Sequence, residues 1–187
     1  MLPKEHWINP VIYVEFAHIN GANKSMREIV GHDVEDDQTE PNALTRGDVE
    51  KELELKLILS SHVKGWNISE NFISEKSLGH DPWEFGYAFG FSRPLAFVPS
   101  ATPCSFCKEN FQVGAEFYGG LGDTKDLSTR NTSHYVAPVL GWKFAENTNL
   151  RVSPGFGLND QSHRFLMRFS LTYEIADFGS KVKKLFR

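Results

Sequence analysis

His163-Arg-Phe-Leu-Met-Arg-Phe-Ser-Leu-Thr-Tyr-Glu-Ile175 decides the fold. Every odd position from 165 onward is apolar: Phe165, Met167, Phe169, Leu171, Tyr173 and Ile175. The even positions carry Arg164, Arg168, Ser170, Thr172 and Glu174, with Leu166 the exception. A strand sends successive side chains to opposite faces, so this is a strand with one greasy and one charged face. It is longer than the roughly five or six residues usual in soluble sheets. The greasy face either packs on a protein core, or faces lipid while the charged face lines a barrel.

Working back, the same period recurs. Leu150, Val152, Pro154, Phe156 and Leu158 alternate with Arg151, Ser153, Gly155 and Gly157. Val136, Leu140, Trp142 and Phe144 form a sixth strand; Phe111, Val113, Ala115, Phe117 and Leu121 a fifth. Trp83, Phe85, Tyr87, Phe89 and Phe91 alternate with Glu84, Gly86, Ala88, Gly90 and Ser92. Aromatics on one face and tiny residues on the other suit a lipid-facing surface over a curved interior. Trp66 to Ser74 is a third strand, where Glu70 interrupts the greasy face, pointing to a bulge or an error of register. Leu53, Leu55, Leu57 and Leu59 alternate with Glu52, Glu54 and Lys56. Their helix propensity is good, but strict alternation would scatter the leucines around a helix, so the segment reads as strand. Residues 8–19 supply the first strand.

These are about eight hairpin-linked strands with no βαβ crossover. The expected fold is all-β: an antiparallel up-and-down meander forming an outer-membrane-type barrel or partial barrel. The expected division is a barrel over 1–175 with a long loop at 20–48, then a basic tail at 176–187. Pro138 and Pro154 are awkward inside strands, because proline donates nothing to a ladder.

The 187 residues suffice for one domain, and a formal net charge of -4 gives no reason to expect nucleic acid. The hydropathy average falls on the hydrophilic side, but alternation cancels in such an average. No apolar run is long enough for a transmembrane helix. The chain opens Met1-Leu2-Pro3-Lys4-Glu5-His6, without a visible signal peptide.

Several phrases carry a resemblance: His18-Ile-Asn-Gly21, Val30-Gly-His-Asp33, Ser69-Glu-Asn-Phe-Ile73, Pro82-Trp-Glu-Phe-Gly-Tyr87, Tyr118-Gly-Gly-Leu-Gly-Asp123 and Leu150-Arg-Val-Ser-Pro-Gly-Phe-Gly-Leu-Asn159. Together they resemble a family of uncharacterised bacterial outer-membrane β-barrel proteins, of which this chain looks like the C-terminal portion. The resemblance implies the bacterial outer membrane as location, outer-membrane lipid as partner, and small solutes through the barrel. It implies no catalytic residues. The chain departs from the family in the basic tail that follows Ile175, where an outer-membrane strand commonly ends on an aromatic residue.

Candidate sites are few. Cys104 and Cys107 are the only cysteines. Their spacing admits a redox pair, half a zinc site or a stapled turn; with no thioredoxin-like context and no second C-x-x-C, a disulfide or reduced turn is expected. The acidic segment 32–40, with His32 and Glu40 about the run Asp33 to Asp37, lacks EF-hand spacing and reads as a solvated loop. The pairs Ser133-His134 and Ser162-His163 read as loop edges, since adjacent strand residues point apart. We expect no catalysis, no cofactor and no metal. The expected barrel-interior charges are Glu52, Glu54, Glu84, Glu116, Arg151, Arg164, Arg168 and Glu174. The expected lipid-facing set is Trp83, Phe85, Tyr87, Phe89, Phe117, Trp142, Phe156, Phe165, Phe169 and Leu171, with Leu53, Leu55, Leu57, Leu140 and Val152. The functional expectation is an outer-membrane barrel of structural or passive-transport type. The rival is a soluble barrel holding an apolar small molecule inside, and a lipid-modifying enzyme would need a His/Ser/Glu group converging at one rim.

Overall fold

The computed structural model describes residues 8–20, 49–79, 81–98 and 104–174. The segment 21–48, which holds the acidic run, and the tail 176–187 lie outside the described residues. Eight strands follow one another: β1 (Asn9–Asn20), β2 (Val49–Val63), β3 (Trp66–Ser77), β4 (Trp83–Pro94), β5 (Phe111–Asp123), β6 (His134–Ala145), β7 (Thr148–Gly157) and β8 (Phe165–Tyr173). A 3-10 turn, Lys108–Asn110, precedes β5. All eight lie in one antiparallel sheet in sequence order, and among the described residues β1 and β8 each pair on one side only. The fold is the expected meander, left open as a partial barrel.

Direct cross-strand partners share a face, so the register sorts every side chain. One row runs from Leu59 through Glu70, Phe89, Phe117, Val136 and Phe156 to Phe165. The adjacent row on the other face runs Asn9, Ser60, Ser69, Gly90, Glu116 and Ala137. Glu70 therefore stands on the apolar face in regular register; the expected bulge is not there. The register shifts occur at Phe85/Gly86 and at Lys143/Ala145 instead, a single step and a hairpin end.

The sheet bends toward its polar face. Strands three steps apart on a flat sheet are separated by about 14 Å. Yet Glu116 on β5 meets Arg168 on β8 at 2.6 Å, and the Arg168 guanidinium lies 4.6 Å from the Tyr118 ring centroid. That face is concave between β5 and β8. Its backbone can close because Ala137 and Gly141 on β6 and Gly155 on β7 leave room for the larger neighbours.

The register also fixes a tilt. From β1 to β8 the strand midpoints slip by about nine residues over seven steps. At about 3.3 Å per residue and about 4.8 Å per strand, strands standing level with one another lean by about 40°, within the range of closed barrels.

Burial is inverted relative to an ordinary core. The buried apolar residues are few (Ile73, Tyr118, Tyr135, Ala137 and Val139) and sit on the concave face beside Glu52, Glu54 and Ser153. The large apolar residues of the other face are exposed or half-buried: Phe169 is 69 % and Phe165 52 % accessible.

Pro138 and Pro154 stand opposite each other. Pairing between β6 and β7 stops at Val136/Phe156 and resumes at Leu140/Val152, so two missing donors share one gap. The β2–β3 hairpin turns on Lys64 and Gly65, with φ of 50° and 79°. Two positive values suit the turn that matches strand twist. A side chain at Gly65 would also collide with the Phe97 ring.

Candidate functional site

The concave face carries the charge. Glu15 on β1, Glu54 on β2, Glu75 on β3, Glu84 on β4 and Asp123 on β5 are successive cross-strand partners, one acid per strand in one row. Glu52 lies one step along the same face of β2. Lys56 Nζ stands 3.1 Å from Glu54 Oε1, and the Tyr13 hydroxyl donates to Glu15. Neighbouring acids in a row are about 5 Å apart along a line rather than gathered at a point. Among the described residues no group of three or more His, Cys, Asp or Glu is placed to hold a metal ion.

The other half of the face is basic. Glu116 projects from β5 across the small residues of β6. It receives Arg151 from β7 on one oxygen and Arg168 from β8 on the other. One carboxylate thus faces two guanidiniums. Arg168 also lies over Tyr118, whose ring stacks on Tyr135 at 5.3 Å. Of the eight expected interior charges, Glu52, Glu54, Glu84, Glu116, Arg151 and Arg168 share this face. Arg164 and Glu174 fall just outside the ends of β8 and are exposed. Sequence reading missed Glu15, Glu75 and Asp123 as members of the row. Their common height exists only once the register of four strand pairs is known.

The expected lipid-facing residues all lie on the opposite face, but not with uniform exposure. Phe117, Phe156, Phe165, Phe169, Leu171, Leu57 and Leu140 are exposed. Trp83, Phe85, Tyr87, Phe89, Trp142, Leu53, Leu55 and Val152 are half-buried. The cause is lateral crowding: Phe91 lies 6.2 Å from Phe89 and 6.5 Å from Phe117. The rings of β4 shield one another, whereas among the described residues β8 has a neighbour on one side only.

At the rim where β5–β6 and β7–β8 connect, the two Ser-His pairs come together. Ser162 Oγ accepts the His134 N–H at 2.8 Å and lies 2.9 Å from His134 O. Ser133 Oγ donates to Gln161 O at 2.7 Å, and His163 N–H donates to the Tyr135 hydroxyl at 2.8 Å. Asn159 Nδ2 donates to Thr132 O at 2.7 Å. Four of the five residues from Asn159 to His163 are thereby tied to β6 and the segment before it. The pairs are loop edges, as expected, but they also clamp the two loops together.

The His134 ring is held as well. Nε2 lies 2.9 Å from Thr129 O, which can only accept, so Nε2 carries a proton. Nδ1 then accepts from the Tyr87 hydroxyl at 3.1 Å in the neutral ring. Thr132 Oγ1 lies 3.0 Å from Nε2 and donates to Ser128 O. The nitrogen facing this hydroxyl is a donor, so it does not serve as its base. Tyr87 reaches His134 across Gly119, where a Cβ would strike both His134 and the Ser133 carbonyl.

At the far rim Cys104 and Cys107 are joined by a disulfide that closes a tight turn. Asn110 Nδ2 donates to Cys104 O at 2.6 Å, and Trp142 Nε1 donates to Ser105 O at 2.8 Å. Phe106 thereby lies 4.8 Å from Trp142, which also neighbours Phe111 and Phe144. Arg93 sits between the Trp66 and Phe97 rings at 5.2 and 5.0 Å. This end of the outer face is a band of aromatics.

Compared with known proteins, the chain matches no family profile, no curated protein and no solved structure.

Proposed function

We propose that the chain forms the wall of an outer-membrane β-barrel of structural or passive-transport type and performs no catalysis. The observation that carries this reading is the sorting of side chains by register. Aromatic and aliphatic residues predominate on the outer face from β1 to β8, where Glu70, Lys76 and Arg93 also stand, while Glu15, Glu54, Glu75, Glu84, Glu116, Arg151 and Arg168 share the inner one. A soluble barrel holding an apolar ligand would need the reverse. Strand lengths agree: nine to fifteen residues, where a tilted membrane strand needs about 9–11. The aromatic band at the Cys104–Cys107 end suits a membrane–water interface, and the disulfide suits an oxidising compartment.

On this reading the partners are outer-membrane lipid and small solutes that pass along the charged face, and the location is the bacterial outer membrane. The resemblance to uncharacterised outer-membrane barrel proteins points the same way. The acidic row and the Glu116–Arg151–Arg168 group would bias which ions or solutes pass.

Reconstitution into vesicles containing brominated lipid tests the proposal. The expected result is strong quenching of tryptophan emission, together with loss of solubility when detergent is withdrawn. A chain that stays monodisperse in buffer without detergent, with unquenched tryptophans, would sink the membrane reading.

A further inference from the structure

We propose that the concave face between β5 and β8 is a binding site for a small oxyanion, a phosphate or carboxylate held by Arg151 and Arg168 over the hydroxyls of Ser153 and Tyr118. The proposal rests on the side-chain geometry of that face and does not need the sheet to stand in lipid.

The first observation is an imbalance of charge. Among the described residues Glu116 is the one carboxylate paired with either guanidinium, so two positive charges face a single negative one. Lys143 is exposed two residues along β6 from Gly141, the partner of Arg151, and adds a third. The acidic row is remote on the strand that carries Glu116: Asp123 lies seven residues farther along β5, about 23 Å away.

The second is an excess of donors. A guanidinium carries five N–H groups and accepts nothing. Arg151 and Arg168 each present one nitrogen to Glu116. Ser153 is 2 % accessible, and its hydroxyl has no hydrogen-bond partner. The Tyr118 hydroxyl is also buried without one. Arg168, the cation over the Tyr118 ring, can only donate, so the proton of the phenol still needs an acceptor. Buried hydroxyls in this state are uncommon and call for a partner.

Register brings these groups together. Ser153 lies on β7 between Arg151 and Gly155 on the concave face, directly opposite Arg168. To reach Glu116 on β5, the Arg168 side chain crosses β7 there. The Tyr118 hydroxyl ends over Gly155, where a Cβ would come within 2.6 Å of it. Ser170, opposite Arg151, is exposed on the same face. What the set lacks is an acceptor with negative charge; a metal cation would meet one carboxylate among three cations. Glu116 shows how an oxyanion is held, one oxygen to each guanidinium. Both guanidiniums are about half accessible, so a second oxyanion reaches their remaining N–H groups. As it draws Arg168 away from Glu116, the Ser153 hydroxyl beneath comes within reach.

The test uses the full chain in micelles of a non-ionic, phosphate-free detergent, with inorganic phosphate or acetate as probe at constant ionic strength. The phosphorus resonance of phosphate and the methyl resonance of acetate report exchange with the protein. Saturable broadening is expected with half-saturation at about 1–10 mM. Phosphate alone marks a tetrahedral ligand, acetate alone a carboxylate, and both an unselective oxyanion site; each supports the proposal. Ser153→Ala leaves charge untouched and should weaken binding at least about threefold. Arg168→Gln should weaken it at least about tenfold; if that chain does not fold, Arg168→Lys, which keeps the charge and loses the fork, should weaken it about threefold. Glu116→Gln removes the built-in competitor and should tighten binding at least about fivefold. Arg93→Gln takes the same charge from the outer face and should change it less than about twofold. No saturable broadening by either probe up to about 100 mM overturns the proposal. So does equal weakening by Arg93→Gln and Arg168→Gln, a diffuse response to net charge, or an unchanged affinity in Ser153→Ala. A chain that stays in solution without detergent removes the membrane reading and leaves this test standing.

Discussion

The two halves of the sheet are built on different terms. From β5 to β8 the concave face is crowded and cross-tied: Glu116 holds two arginines, Tyr118 and Tyr135 stack, and the rim loops are sewn to β6. From β1 to β4 the same face carries the row Glu15, Glu54, Glu75 and Glu84, with Glu52 one step along β2 and Lys56 beside Glu54. Both halves share one outer surface and one ladder. Curvature therefore does not come from the ladder alone. It is held where side chains from strands three apart can touch, and that needs small residues between them.

The sharpest way to break the contrast is at Gly119. A valine there would drive into the Ser133 carbonyl and the His134 ring, neither of which can step aside. We expect a loss of about 3 kcal/mol, the upper end for overpacking, in equilibrium urea unfolding from micelles. Gly90→Ala, beside Ser69 in the other half, should cost under about 1 kcal/mol.

Next comes Glu116→Gln. It leaves Arg151 and Arg168 facing each other without their shared anion. The arginines are about half accessible, so solvent discounts the loss to about 1–2 kcal/mol. The destabilisation should shrink in 1 M salt. If salt leaves it unchanged, packing rather than charge holds the curl.

Ser162→Ala removes the hydroxyl that ties the β7–β8 loop to both backbone groups of His134. The expected cost is about 1 kcal/mol. Amide exchange should accelerate at residues 158–164 first, with β2 and β3 unaffected.

What was legible in the sequence follows from the period of two. It yielded eight strands, their neighbour pairing, and the separation of Phe165 and Phe169 from Arg168, because each needs only residues close along the chain. The acidic row was hidden: Glu15, Glu75 and Asp123 look unremarkable until the hairpin registers align them. The rim clamp was hidden for the same reason, since Ser133 and Ser162 lie on different hairpins. Glu70 misled in the other direction. A charge on a greasy face suggested a bulge, but the ladder carries it straight through between Leu59 and Phe89.

The uneven connections have a consequence in time. β2–β3 and β6–β7 are joined by two-residue turns, whereas 28 residues separate β1 from β2. Loop-closure entropy grows as the logarithm of length, which makes docking of β1 dearer by about 2 kcal/mol than closing a tight hairpin. The hairpins should zip first and β1 arrive last. Until it does, the nascent sheet presents β2, with Leu53, Leu55, Leu57 and Leu59, as its raw margin. Dilute refolding, or a holding chaperone during that interval, should raise the yield more than any change to the finished sheet.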